Sequence, residues 1–184
     1  MDGIKEKISN IQPGKMLAID VPADAIMRAN VDIIKELQSH GYEGVYIALS
    51  KNYQELSRIF DYAGIDKSKL YIIDGISNVY GIDTVDLPNV KYVDGPFALK
   101  AIDEGVKSFL DSAKAQKKFI LLDSITVLLL YISFEQAISF SSMLSKTAKD
   151  RQCIGIIMSL FLGAPNKKMN DGLTGIVDEF IKFQ

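Results

Sequence analysis

The amino-acid sequence predicts a three-layer, doubly wound α/β domain built on a mostly parallel sheet. Three observations carry this expectation. Short apolar runs such as Gly44 to Leu49 and Phe119 to Leu122 lack polar alternation, so both faces of each strand are covered. Amphipathic stretches at helical spacing separate these runs. Several runs stop on an aspartate: Asp20, Asp74 and Asp123. Right-handed crossovers between such elements wind the chain over both faces of one sheet.

The first strand runs from Met16 to Ile19, after Pro13-Gly14, and ends at Asp20. Ala23 to Ser39 reads as a helix. Ile26, Ala29, Ile33 and Leu37 form its apolar stripe, with Arg28, Asp32, Lys35 and Glu36 on other faces. Pro22 precedes it and Gly41 stops it. Gly44 to Leu49 is the second strand. Asn52 with Glu55 resembles a capping box for a helix that carries Leu56, Ile59, Phe60 and Ala63 and ends at Gly64. Leu70 to Ile73 is the third strand, closing on Asp74. Residues 75–96 are too long for an ordinary connection and are expected to form a lid, a partner-binding loop or a small hairpin. Phe97 to Ala113 is a helix built on Leu99, Ile102, Val106, Phe109 and Leu110. Phe119 to Leu122 is a strand, Phe134 to Lys149 a helix, Cys153 to Met158 a strand and Val177 to Phe183 the last strand.

Length and composition set the bounds. The 184 residues fit one domain spanning 1–184 and can bury roughly 70% of the unfolded surface. A formal net charge of -2 implies no strong pull toward nucleic acid or an anionic membrane. The most apolar stretch, Phe119 to Ile132, is shorter than the ~20 residues a spanning helix needs, and Asp123 interrupts it. The opening residues Asp2, Lys5, Glu6 and Lys7 make no apolar signal core. One cysteine, Cys153, suits a reducing compartment, so the expected location is the cytoplasm. The single histidine, His40, leaves little material for a zinc site and stands where it meets a helix dipole.

Three stretches resemble the KaiC branch of the RecA-like ATPases. One is Gly44-Val-Tyr-Ile-Ala-Leu-Ser50 with the helix that begins Tyr53-Gln-Glu-Leu. Another is Leu70-Tyr-Ile-Ile-Asp74. The most specific is Phe119-Ile-Leu-Leu-Asp-Ser-Ile-Thr-Val-Leu-Leu-Leu-Tyr131, which is similar to that family's Walker B strand and the helix start after it. The order of elements agrees from Lys15 to Ile181. The resemblance implies a RecA/P-loop-NTPase-like fold. Some archaeal families of unknown function share this degenerate pattern, which points to an archaeal source.

The departures from that pattern are more informative than the matches. A phosphate-binding loop needs glycines, because its amides must turn inward, and a lysine to neutralise charge. No glycine stands between Lys15 and His40, and the helix head has no lysine, serine or threonine. Pro22 removes an amide donor. Asp20 and Asp24 bring negative charge where a triphosphate would lie. Two like charges ~4 Å apart repel by about 4 kcal/mol at an effective dielectric of about 20. After the second strand the family places acidic catalytic residues, and this chain has Ser50 and Lys51. Asp20, Pro22, Asp24, Ser50, Lys51, Asp123 and Ser124 are therefore read as vestigial nucleotide-site positions. Asp123 is expected to bond nearby backbone amides.

The expected function is a non-catalytic RecA/KaiC-like module that regulates or scaffolds through protein contacts. It uses no cofactor and has a protein partner or a second copy of itself as ligand. The alternative is a ligand-binding protein, including an unusual nucleotide binder, that uses the crevice at the carboxyl ends of the strands. There Asp20, Asp24, Asp74 and Asp123 would hold a divalent cation. A minor reading sets Asp20, Asp123, Ser159 and Lys182 in the order of a phosphoacceptor receiver domain. The serines at 133, 139, 141, 142 and 145 are expected to pack or face solvent. The pairs Lys117-Lys118 and Lys167-Lys168 are expected to be solvated surface.

Overall fold

The computed structural model describes residues 2–160 and 167–183. Among these, seven strands form one sheet. They are β1 (Met16–Val21), β2 (Glu43–Ala48), β3 (Leu70–Asp74), β4 (Val90–Tyr92), β5 (Lys118–Leu122), β6 (Ile154–Leu160) and β7 (Glu179–Lys182). The helices are α1 (Asp2–Asn10), α2 (Ile26–Ser39), α3 (Tyr53–Ala63), α4 (Leu99–Ser112), α5 (Ile125–Leu128), α6 (Phe134–Asp150) and α7 (Lys167–Thr174). No described helix is long and apolar enough to cross a membrane.

The strand order is β4-β3-β2-β5-β6-β1-β7, and every pairing is parallel. The chain first steps from β1 across to β2, β3 and β4, then returns through β5 and β6 to β7. A reversal of direction sends the crossovers to opposite faces when their hand is constant. The two cores follow this division. Ile4, Ile8, Ile33, Leu37, Leu56 and Phe60 pack α1, α2 and α3 on one face. Ile102, Val106, Phe140, Leu144 and Leu173 pack α4, α6 and α7 on the other. β1 is buried along its whole length, which is why its sequence shows no alternation.

Local chemistry fixes the element ends. The Asn52 side chain accepts from the Glu55 amide at 3.0 Å, so the expected cap forms. Gly64 closes α3 with φ 70°, a left-handed turn that glycine adopts without strain. Ser133 and Gln136 form a reciprocal capping box on α6 that the sequence reading passed over.

The expected elements are present with shifted ends. β1 extends to Val21, α2 begins at Ile26 rather than Ala23, α4 begins at Leu99, and the last strand is Glu179–Lys182. Residues 75–96 are not a hairpin. They carry β4, an edge strand parallel to β3 with Ile72 opposite Val90. β4 has three residues, too few for a periodic signal. Helices α1 and α7 were also missed, being short or weakly apolar, and of α5 only a helix start after β5 was expected.

Gly44 shows how tightly the central strands are packed. It lies opposite Phe119 in the β2–β5 register, and a Cβ placed there would meet the Phe119 ring at 2.4 Å. We expect Gly44→Ala to cost about 1–3 kcal/mol through displacement of that ring. Urea unfolding of the two proteins measures it, and equal midpoints would show that the ring has room to move.

Candidate functional site

In open α/β sheets the crevice for a ligand lies at the carboxyl ends of the strands, where neighbouring connections leave toward opposite faces. Here β1 leads to α2 on one face and β5 leads to α5 on the other. The candidate residues at these ends fall into separate groups.

Asp123 follows β5 and is fully buried. Its Oδ1 accepts from the Leu49 amide at 3.0 Å. Its Oδ2 accepts from the Ser50 amide at 3.0 Å and the Ser50 hydroxyl at 2.5 Å. Thus the two positions read as nucleotide-site remnants on adjacent strands, Asp123 and Ser50, are bonded to each other. Burial pushes the Asp123 carboxyl up to about 6, and the Ser50 and Leu49 donors pull it back only in part. Ser124 caps α5, its hydroxyl accepting from the Val127 amide at 3.2 Å. Lys51 is half-buried in the turn that leads to α3.

Asp74 repeats the arrangement one strand further out. Its Oδ2 takes the Tyr53 amide at 2.7 Å and the Ser77 hydroxyl at 2.6 Å. Its Oδ1 takes the amides of Ile76 at 2.7 Å and Ser77 at 2.9 Å. Asp74 therefore fixes both the start of α3 and the departure of the long loop.

The segment after β1 is a turn, with the Ala25 amide donating to the Pro22 carbonyl at 3.0 Å. Asp24 is exposed in this turn. Asp20 and Asp24 were expected to act together on one site. The pleat separates them, because Asp20 projects from the face that carries α6 and α7 while the turn leads into α2 on the other face. Asp20 is 1% exposed. Its Oδ2 accepts from Asn170 Nδ2 at 3.3 Å.

The four aspartates proposed to share a divalent cation thus do not converge, since two are taken up by backbone amides and a third is in solvent. Among the described residues no three His, Cys, Asp or Glu side chains come together as a metal centre. The receiver order fares similarly. Asp20, Ser159 and Lys182 share one row of the sheet, but the Asp123 carboxylate is turned to the β2 loop.

Other expectations resolve locally. The His40 ring lies 2.9 Å from the Glu36 carbonyl at the end of α2, where a helix end favours a donor. Ser141 bonds the Ala137 carbonyl and Ser145 the Ile176 carbonyl. Lys117 and Lys118 donate to the carbonyls of His40 and Leu110. Lys168 stands 4.2 Å above the Phe134 ring. The Lys167 side chain lies outside the described residues. Cys153 is buried, and burial pushes its thiol up to about 12.

Sequence reasoning missed three polar residues in this region. Asn30 stands in the apolar stripe of α2 and donates to Tyr46 Oη at 3.3 Å and the Asp123 carbonyl at 3.4 Å. Thr126 Oγ accepts from the Leu160 amide at 2.9 Å and so ties α5 to the end of β6. Asn170 of α7 reaches Asp20. An asparagine among Ile26, Ile33 and Leu37 was the available signal for the first.

Comparison with known proteins places this fold. The chain belongs to a family of unknown function, DUF7090, whose model matches residues 25–181. No curated protein sequence matches it. Its structure is similar to that of a KaiC-like protein from the hyperthermophilic archaeon Pyrococcus horikoshii OT3. The TM-score is 0.63 at 16% identity, over 94% of this chain and 73% of that one. It is also similar to an uncharacterized protein from Pyrococcus horikoshii crystallised in complex with an unknown peptide. There the TM-score is 0.69 at 17% identity, over 100% of this chain and 83% of that one. At these identities the likeness is one of fold, and the fold is the KaiC-like α/β architecture.

Two outcomes follow from the Asp123 geometry. Asp123→Ala leaves the Leu49 and Ser50 amides without an acceptor, and we expect a loss of about 1–3 kcal/mol in chemical denaturation. An unchanged midpoint would show that water replaces the carboxylate at no cost. The raised pKa also gives a sign. The fold binds the Asp123 proton more tightly than the unfolded chain does. The extra stability is therefore complete below about pH 4 and is lost as pH rises through about 6. Measured against Asp123→Asn, the native protein should lose roughly 3 kcal/mol between about pH 4 and about pH 7. Parallel pH curves for the two proteins would contradict this.

Proposed function

We propose that this DUF7090 protein is a non-catalytic KaiC-like module that acts in regulation or scaffolding through protein contacts. The observation that carries the reading is the engagement of Asp74 and Asp123. A carboxylate that activates water or holds Mg²⁺ must present a free lone pair to the crevice. Both are buried: Asp123 accepts from the amides of Leu49 and Ser50 and the Ser50 hydroxyl in the loop after β2, and Asp74 from the Tyr53 amide at the start of α3 and from Ile76 and Ser77 of its own loop. The residues that would cradle phosphate are replaced by a proline-led turn with no glycine.

The contact surface lies at the rim of the same end. Val79, Tyr80, Phe97 and Leu130 are exposed apolar side chains. Val79 and Phe97 meet from separate segments, and Tyr80 meets Tyr131, the residue after Leu130. The Tyr80 and Tyr131 hydroxyls lie 3.4 Å apart. A Cβ at Gly95 would meet both Phe97 and Val79 within 3 Å, so these two side chains flank one glycine. Two residues beyond Phe97, Leu99 enters a groove of about 350 Å³ between α4 and α6, lined also by Phe140 and Met143 and by the polar Lys100, Asp103 and Gln136. Contiguous exposed apolar surface of this kind marks interaction sites. That a Pyrococcus protein of the same fold was crystallised with a peptide is in keeping with the reading. Ile26 and Met27, at the start of α2, pack against the core instead.

Light scattering over a concentration series tests the proposal. We expect self-association that weakens in Phe97→Ser and Leu130→Ser, both exposed positions whose replacement leaves the core intact. A strict monomer at high concentration would remove the homo-oligomer and leave the contact role to a different partner. Calorimetry showing micromolar affinity for ATP with Mg²⁺ would overturn the non-catalytic reading itself.

A further inference from the structure

We propose that the carboxyl ends of β1 and β6 bind a monovalent alkali cation between Asp20, Ser159 and Asn170. The site is independent of the apolar rim and of the protein-contact reading.

Asp20 and Ser159 are register partners on adjacent parallel strands. Side chains two residues apart on a strand share a face. Ala18 and Ile157 belong to the core on the α6 and α7 side, so Asp20 and Ser159 both project there. Asn170 of α7 closes over them, its Nδ2 donating to Asp20 Oδ2 at 3.3 Å. The three residues are 1%, 0% and 7% exposed. Three of their oxygens nevertheless have no hydrogen-bond partner: Asp20 Oδ1, Ser159 Oγ and Asn170 Oδ1.

Buried carboxylates elsewhere in this protein set the standard. Asp123 and Asp74 each accept from several donors through both oxygens. Asp20 has one neutral amide donor at the long end of the hydrogen-bond range. A buried ionised carboxylate with so little compensation is unfavourable unless a positive charge lies against it. Among the described side chains, the candidate in the sheet does not supply one. Lys182 stands beside Asp20 in the register of β7, yet its ammonium lies over the Phe180 ring at 5.7 Å.

The donor set selects the ion. A carboxylate oxygen, a hydroxyl and an amide carbonyl are hard ligands, suited to an alkali or alkaline-earth cation rather than to a soft metal. They repel an anion. Only one of the three carries charge, so one positive charge balances the site, whereas a divalent ion would leave an excess buried charge. The orientation of Asn170 agrees, because its amide nitrogen faces the Asp20 carboxylate and its carbonyl is left for the ion.

Thermal unfolding of the whole chain in sodium, potassium or choline chloride at equal ionic strength tests the site. We expect the midpoint to rise and saturate with sodium or potassium relative to choline, as binding to the folded state alone requires. Asp20→Asn should abolish the rise. Ser159→Ala, a milder change that keeps the carboxylate, should move half-saturation to higher cation concentration. Equal midpoints in all three salts would overturn the proposal. A cation-dependent rise that Ser159→Ala and Asn170→Ala leave untouched would overturn it too, by putting the ion elsewhere.

Discussion

Beyond the end of β2 the amides of Leu49 and Ser50 leave the sheet, and the carboxylate of Asp123 accepts both. Much of the carboxyl end of the sheet depends on this one interaction. It joins β5 to the loop after β2 and sets where α3 can begin. It also places the Asp123 carbonyl where Asn30 of α2 donates to it. Asp74 extends the scheme to the next strand and holds the Tyr53 amide at the start of α3. A buried carboxylate is costly, and several donors that never leave it are the usual compensation.

A strand-end aspartate used in this way has little left for chemistry. In the resemblance that the sequence carries, Asp123 corresponds to the Walker B position and Ser50 stands where an acid is expected. The Ser50 hydroxyl donates to Asp123 at 2.5 Å. Two like carboxylates could not approach so closely while both were ionised. The serine therefore suits a site in which the aspartate serves the backbone. In the turn after β1, Pro22 offers no amide and Asp24 is exposed.

The layered fold was legible because burial on both faces writes itself as unbroken apolar runs. Met16 to Ile19 and Phe119 to Leu122 fall on observed strands, and Gly44 to Leu49 does so as far as Ala48. The edge was not legible. β4 is half-buried and three residues long, and α5 has only four residues, so neither shows a period. At the candidate site, the chain positions of Asp20, Asp74 and Asp123 could be read, and the backbone role of Asp123 was expected. What each carboxylate faces could not be read. That depends on the pleat and the strand order, which turn Asp20 to the α7 side while the segment after it runs to α2. The Asp20, Ser159 and Asn170 cluster joins residues up to 150 positions apart, and no local pattern announces such a meeting.

Amide hydrogen exchange at Leu49 and Ser50 tests most directly whether Asp123 is a structural carboxylate. Ser50 is an exposed residue, and without an acceptor its amide would exchange as fast as that of Asn78 in the open loop. The structure requires both amides to be protected in the native protein. In Asp123→Ala that protection should be lost while amides within β5, such as that of Ile120, keep theirs. Fast exchange at Leu49 and Ser50 in the native protein would mean that the carboxylate is free for a ligand, and would contradict the account.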